Sequence, residues 1–528
     1  MEKIKSEKSD LIFSAVLILF TLIMPLILIP FHEQWRDEAQ AWLLVRDCNF
    51  GDLLKMLKYE GHPLLWYLIL IPFAKSGLPF SVINYISWFF ASCGMVLFIL
   101  KAPFGKTVKA ITAISPVFIY WLPVVARSYS LVPLMLFAMA ALYRERRKYA
   151  VLYGFLIALL VNLHILMAGI CGALLLNELI DIIVNIVRKE RVSKERYIGF
   201  VCGFLGCLVM VIQMWGCMEQ NGVVKVEIGQ ISYLAKAYQN SIIFQMHMFG
   251  FWKMELYLFM MLMFFIFLAI IFILLLKYRR QLLMLVCGVG FDLFVTLLLF
   301  VPNGQKAQLI YIMLLFIAWT LRADTTDGLK TSETPAVEAE NNKKENKDIR
   351  FSSAMCFMIC LMLIINIANC WKSVIIFDIG NKFSSGKAAA EFLDENSSEC
   401  SVVIPIDDML GAAASAHTKK VHFWNMYNNK YCDYAILNMD RAYAMYDLEK
   451  YINEKTKDAQ GNEVYVNSVK KYMQNYVSEH FAKGTKVALL VCRIYYPRFD
   501  MEMTPVFESE ECSYYSFSEG YKIYIITA

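Results

Sequence analysis

Charge is scarce in this 528-residue chain: only 18% of residues are Asp, Glu, Lys or Arg, while 58% are hydrophobic and 14% aromatic. A water-soluble chain of this length needs far more charge, so lipid is the expected solvent for most of it. The mean hydropathy of +0.48 agrees. The net charge of +5 is small, and the basic residues sit in short runs between apolar spans rather than on one surface, which excludes a nucleic-acid partner. No CxxC pair and no Cys/His metal spacing occurs among the 14 cysteines. Most of these lie inside apolar runs as small hydrophobes. Cys400, Cys432, Cys492 and Cys512 fall in a polar C-terminal region where pairing stays open. No nucleotide-binding Walker motif is present. No internal repeat is evident either, which weakens a transporter built from inverted halves. The first apolar run, about Leu11 to Pro30, is too long for a signal-peptide core and has no small-residue cleavage site after it, so it is expected to remain as a helix.

Spanning the hydrocarbon takes roughly 20 apolar residues. Candidate spans fall near 11–30, 80–101, 107–123, 129–143, 149–163, 164–187, 197–216, 254–277, 281–301, 306–321 and 351–371, about eleven in all. Basic runs at Lys101/Lys106/Lys109, Arg144/Arg146/Arg147/Lys148, Arg188/Lys189/Arg191/Lys194/Arg196 and Lys277/Arg279/Arg280 separate consecutive spans. The positive-inside rule assigns them to the cytoplasm. Alternation then requires Leu64–Ala74, half a span long, to lie at the interface without crossing. The expected topology has a cytoplasmic N-terminus. Loop 31–79, loop 217–253 and the region after the last span are then extracytoplasmic. Residues 1–321 form the transmembrane domain, 322–350 a polar cytoplasmic linker and 351–377 the last span. Residues 378–528 read as a small α/β module, with strands at Ser401–Ile406, Lys486–Val491 and Tyr521–Thr527 and helices at Arg441–Lys455 and Val464–Phe481. The fold class is an α-helical polytopic membrane protein, with in-plane helices in its first outer loop and an extracytoplasmic α/β domain.

Chemistry concentrates in that first loop, Phe31-His32-Glu33-Gln34-Trp35-Arg36-Asp37-Glu38-Ala39-Gln40-Ala41-Trp42, and in Glu60-Gly61-His62-Pro63-Leu64-Leu65-Trp66-Tyr67. A helix starting at Asp37 would turn Ala39, Trp42, Leu43 and Phe50 to the membrane and Gln40, Arg46 and Asp47 to water. Asp52 reads as the start of a second short helix, and Pro63 suits the first turn of a third. Asp37, Glu38, Glu60 and His62 would face a common cavity. The bland alternative has Asp37 capping a helix and Glu38 pairing with Arg36, but ionisable groups held at a membrane face usually act. Arg127 and Tyr129 emerge on the same side from Ala126-Arg127-Ser128-Tyr129-Ser130, as does Lys306 from Gln305-Lys306-Ala307-Gln308. Cations there either snorkel to head groups or hold a lipid phosphate. His164, where two spans meet on the outer side, lines the pocket or merely ends a helix. His247 and Asp292 are weaker candidates, and Asp407-Asp408 reads as a strand-end turn without chemistry.

The Asp37-Glu38 pair, the His62-Pro63-Leu64 helix start and Ala126-Arg127-Ser128-Tyr129 resemble polytopic glycosyltransferases of superfamily C, in particular the bacterial protein O-mannosyltransferase and lipid A aminoarabinose transferase group. The resemblance covers residues 1–321 in layout and is sharpest at 31–67 and 126–133. It implies a polyprenyl-phosphate sugar donor, an acceptor in the cell envelope (glycan, lipid or protein) and a first-loop carboxylate as catalytic base. Carried over, Asp37 is the base, Glu38 its neighbour and Arg127 a donor-phosphate contact. Arg36, Glu60, His62, Tyr129, His164 and Lys306 complete the donor- or acceptor-binding set. Many relatives carry an Arg-His pair in the late outer hairpin, where this chain has Gln305-Lys306-Ala307-Gln308. The paired carboxylates also admit a divalent cation. The competing class is a transporter or flippase for a lipid-linked glycan.

Overall fold

Long apolar runs become long helices because a helix satisfies every backbone polar group internally, as lipid requires. The structure, a computed structural model, describes residues 2–220, 231–250, 257–299, 303–325, 335–457, 463–493, 503–509 and 519–528. Helix α1 (Glu2–Leu28) leads into three short helices of the first loop, α2 (Arg36–Asp47), α3 (Phe50–Glu60) and α4 (Leu65–Ala74). There follow α5 (Val82–Lys101), α6 (Lys106–Ile114), α7 (Val132–Leu142), α8 (Ala150–Val161), α9 (Ala168–Val187), α10 (Lys194–Gln220), α11 (Ile231–Phe249) and α12 (Tyr257–Leu275). The bundle ends with α13 (Arg279–Met284), α14 (Gly290–Phe294), α15 (Gly304–Thr325) and α16 (Pro335–Cys370). Helix α16 begins within the stretch read as a linker, of which 326–334 lies outside the described residues. So do 221–230 and 251–253 of the expected 217–253 loop, and 254–256 of the span expected after it.

Eight helices among the described residues are long and apolar enough to cross a membrane, and the protein is a multi-pass membrane protein. They match eight of the eleven expected spans. The other three are built differently: 107–123 breaks at Ser115-Pro116 into α6 and a wide turn Val117–Trp121, 129–143 opens with a tight turn Ser128–Leu131, and 149–163 shortens to α8. Helix α4, at 10 residues, is too short to cross, as alternation requires.

Burial grades the bundle from lipid to centre. The apolar window of α15 is 83% buried, that of α10 only 22%, so α15 is the central post. Without a hydrophobic drive between helices in lipid, close backbone approach has to hold them together. Helices α8 and α10 achieve it through glycine. A methyl on Gly154 would lie 1.9 Å from the Gly199 carbonyl oxygen, and one on Gly199 would lie 2.1 Å from that of Ala150. Gly154→Ala is therefore expected to destabilise the folded protein by about 1–3 kcal/mol, read as a lowered Tm in detergent. Gly172→Ala, which meets nothing within 4 Å, is the matched control and should leave Tm unchanged.

The C-terminal domain follows α17 (Phe377–Gly380) and α18 (Gly386–Glu395), with α19 (Asp408–His417), α20 (Met439–Asn453) and α21 (Val469–His480) packed on its sheet. Its strands are β1 (Val402–Pro405), β2 (His422–Asn425), β3 (Lys430–Tyr431), β4 (Lys455–Lys457), β5 (Glu463–Tyr465), β6 (Lys486–Cys492), β7 (Phe507–Glu508) and β8 (Tyr521–Thr527). Six form a sheet in the order β3-β2-β1-β6-β8-β7, with β1 parallel to β2 and β6, and β8 antiparallel to β6. Cys400, Cys432 and Cys492 carry free thiols, and Cys512 lies outside the described residues.

Four local expectations need correcting. The helix expected at Val464–Phe481 begins only at Val469, because Glu463–Tyr465 pairs with Lys455–Lys457 as strand β5 with β4. Ala39, Trp42 and Leu43 do not face the membrane but are buried in the core of the protein. Asp52 does not cap the second short helix: Asn49 does, accepting from the Asp52 amide at 2.9 Å, which leaves Asp52 in the first turn beside Lys55. Gln40 does not face water. It is buried, because the C-terminal domain sits on α2 and exchanges two hydrogen bonds with it, Gln40 Nε2 to the Ala435 carbonyl at 2.8 Å and the Ala435 amide to Gln40 Oε1 at 2.9 Å.

Candidate active site

Helix α2 begins Arg36-Asp37-Glu38, and a helix turns about 100° per residue, so three neighbours in sequence point three ways. Arg36 points to the C-terminal domain. Its guanidinium lies 3.5 Å from Glu519, whose carboxylate also accepts from the Arg36 amide at 3.2 Å. Arg36 does not pair with Glu38. Its other partner is Asp37, at 3.7 Å.

Glu38 points inward and is fully buried. Its carboxylate accepts from the Trp35 amide at 3.0 Å, closing the helix start as an acidic third residue does. It also accepts from Asn84 Nδ2 at 3.0 Å and from the Ala126 amide at 2.6 Å. His32 supplies a further contact at 3.2 Å, and the other ring nitrogen of His32 lies 3.3 Å from Asp378, just beyond the last span. Tyr120 donates to that same Asp378 oxygen at 2.8 Å. A ring with a carboxylate on each nitrogen is held as the imidazolium. Burial pulls the His32 pKa down, but Glu38 and Asp378 outweigh it and raise it to about 10.

Asp37 is the most open of the three, its side chain 22% exposed against 15% for Arg36 and 0% for Glu38. It pairs with Arg127, whose guanidinium also reaches His62 Nε2 at 2.6 Å. His62 Nδ1 lies 2.8 Å from the Gly61 carbonyl and must donate to it. Nε2 is then the acceptor for Arg127, so His62 is neutral. Burial and the neighbouring Arg127 charge push its pKa down to about 3. Burial pushes the Asp37 carboxyl up, but Arg127 and then Arg36 outweigh it and hold the group below the usual carboxylate range. Glu60 accepts from Gln40 at 2.8 Å, and burial with nearby Asp37 moves its pKa up to about 7. The His62 ring lies 5.2 Å from that of His164, which lies 4.4 Å from that of Tyr129, and the Arg127 guanidinium sits 5.9 Å from the Tyr129 ring centre.

Lys306 enters through the Gln305–Gln308 stretch. Gln305 donates to the Trp121 and Val125 carbonyls at 2.8 Å each, and Gln308 to the His247 carbonyl at 2.7 Å. These bonds seat the first turn of α15 beside the segment that carries Arg127, and bring Lys306 within electrostatic reach of Arg127, Asp37 and Asp292. His247 thus takes part through its backbone. Asp407 and Asp408 pair with Arg441, and Asp407 caps α19. The structure therefore gathers Asp37, Arg127, His62, Tyr129 and His164 into one contact chain, with Glu60 and Lys306 beside it. Glu38 is turned away from it, and Arg36 reaches it only through Asp37. Sequence reading missed Asn84, Asp378 and Glu519. The one legible signal was a lone carboxylate directly after the last apolar run.

A divalent cation does not fit this donor set. Among the described residues no three His, Cys, Asp or Glu side chains gather as ligands. Asp37 is held by two guanidiniums, and Glu38 is enclosed by donors. We route no step through a metal ion.

No protein-family model matches the chain, and no curated protein does. Among solved structures it is similar to ArnT from Cupriavidus metallidurans in the apo state, with TM-score 0.50 and 10% identity over 99% of this chain and 98% of that one. It is also similar to the same protein bound to undecaprenyl phosphate, with TM-score 0.49 and 11% identity over 98% and 97%. At this identity the first likeness establishes the fold alone, that of ArnT.

Proposed function

We propose that this protein is a membrane glycosyltransferase that moves a sugar from a polyprenyl-phosphate donor to a hydroxyl group of an extracytoplasmic acceptor. The observation that carries this reading is the Asp37–Arg127–His62 constellation: an ionised carboxylate, partly open to the cavity, held by a forked cation that a neutral histidine orients. A sugar on a lipid phosphate already has its leaving group, so neither a nucleotide site nor a metal is required. Lateral access for a lipid tail is supported by an apolar groove of about 390 Å³ between α9 and the α13–α14 segment, lined by Ala168, Gly169, Phe291 and Phe294.

Bonds and charges balance with these residues alone. The acceptor oxygen attacks the anomeric carbon, the bond from that carbon to the phosphate oxygen breaks with its electron pair, and the acceptor proton passes to Asp37. The anomeric carbon inverts. Arg127, assisted by Lys306, takes the growing phosphate charge. In the free protein Arg127 lowers the basicity of Asp37. A bound phosphate competes for the same guanidinium, so donor binding returns basicity to Asp37 when the acceptor needs it. Glu38 acts as a positioning residue, tying α2 to the Ala126 amide immediately before Arg127.

Arg127→Lys keeps the charge but loses the fork that serves Asp37 and His62 together. We expect kcat/KM to fall roughly 10–100-fold with a raised donor KM, measured by steady-state transfer at varied donor. Sidedness is tested separately. A single cysteine at exposed Lys55 on α3, in a cysteine-free background, should react with an impermeant maleimide from outside intact cells. Labelling only from the cytoplasmic side would leave the proposed reaction on the wrong face.

A further inference from the structure

Buried polar groups in folded proteins are nearly always partnered, yet three groups beside the Arg127–His62 pair are not. Both carboxylate oxygens of Asp292, the Tyr129 hydroxyl and His164 Nε2 are enclosed without a hydrogen-bond partner among the described residues. They converge. The Tyr129 and His164 rings are 4.4 Å apart, and α14, which carries Asp292, packs against the Ile165–Met167 turn that follows His164. His164 Nδ1 accepts from the Leu166 amide at 3.1 Å, which puts the ring proton on Nε2 and makes that atom a donor. Asp292 stands between two stretches wound into wide π turns, Leu285–Val289 and Val295–Leu299, a distortion that clusters at functional sites. Thr296 bonds the Asp292 carbonyl and leaves the carboxylate unoccupied. An intramembrane carboxylate without a partner is costly to keep for packing alone.

From this geometry we infer that Asp292, Tyr129 and His164 form a subsite for the hydroxyl groups of the donor's sugar ring, behind the Arg127 phosphate clamp. The inference rests on the donor reading above and adds the class of sugar. A phosphate is poorly served by the subsite, because its oxygens bring no proton for the Asp292 oxygens to accept. A sugar is well served: two of its hydroxyls donate to the two Asp292 oxygens, and others accept from Tyr129 and His164. The donor sugar is therefore polyhydroxylated.

The test measures binding of three probes to the full-length protein in nanodiscs: bare polyprenyl phosphate, polyprenyl-phosphate glucose and a polyprenyl-phosphate amino-pentose. The wild type should bind all three through the phosphate and favour both sugar lipids over bare polyprenyl phosphate. Asp292→Asn should lower affinity for the glucose lipid about tenfold or more and leave bare polyprenyl phosphate unchanged. Tyr129→Phe should do the same to a smaller degree, and it reads the subsite independently should the Asp292 variant fail to fold. An unchanged preference in both variants, or no wild-type preference for either sugar lipid over bare polyprenyl phosphate, overturns the subsite while leaving the donor reading intact. Failure of the wild type to bind bare polyprenyl phosphate overturns both.

Discussion

Asp37→Asn is expected to abolish sugar transfer and to leave expression, membrane insertion and the overall fold in place. Removing a general base costs about 10²- to 10⁴-fold, and the amide also cannot hold the proton that the acceptor releases. The fold should survive because Asn is isosteric, and Arg127 keeps His62 as a partner within 2.6 Å. Asp37→Glu moves the carboxylate by one methylene and should retain partial activity. The measurement is transfer by purified, reconstituted protein with folding followed by size-exclusion chromatography. A well-folded Asp37→Asn protein at the wild-type rate would move the base elsewhere, with Glu60 the next carboxylate to examine.

Replacing His32 by Gln is expected to have the largest effect on stability. The imidazolium bridges two buried carboxylates, Glu38 and Asp378, and its loss leaves both facing a neutral side chain. Breaking a buried charge network in this way costs about 3–5 kcal/mol. The bridge also predicts a pH dependence with a definite sign. The ring pKa is raised in the folded protein to about 10 from 6.5. Its contribution is therefore fully present below about 6.5 and is lost as pH rises through 10. Wild-type Tm in detergent should fall across that window, and the His32→Gln protein should start lower and show little of the slope. An equally steep fall in the variant would remove His32 as its source. Because Glu38 also holds the Ala126 amide beside Arg127, kcat should drop with stability.

Most of the fold is legible in the sequence because the length and apolarity of a span are local properties. Eight of the expected spans stand as long helices, and β1, β6 and β8 fall within a residue of the expected strands. The interrupted helices were less legible: Ser115-Pro116 breaks an otherwise continuous apolar run. In the site, Asp37, Arg127 and His62 could be picked out because charged groups beside a span are rare. Their directions could not. Adjacent carboxylates look like a working pair in one dimension, but the helix rotates Glu38 into the interior and leaves Asp37 at the cavity. The partners that fix this arrangement are remote, with Asp378 lying 346 residues beyond His32 and Glu519 lying 483 beyond Arg36. No local pattern announces such contacts. Gln40 was misread for the same reason: its amphipathic position is polar, but the C-terminal domain covers it.

The most direct test of the central claim follows the donor itself. Purified protein in liposomes is given a polyprenyl-phosphate hexose labelled in both sugar and lipid, together with an envelope extract as acceptor. Sugar transfer predicts that label leaves the lipid, that unglycosylated polyprenyl phosphate accumulates in equal amount, and that the product carries the opposite anomeric configuration. Intact donor appearing in the opposite leaflet, with no sugar released, would instead identify a flippase and contradict the account.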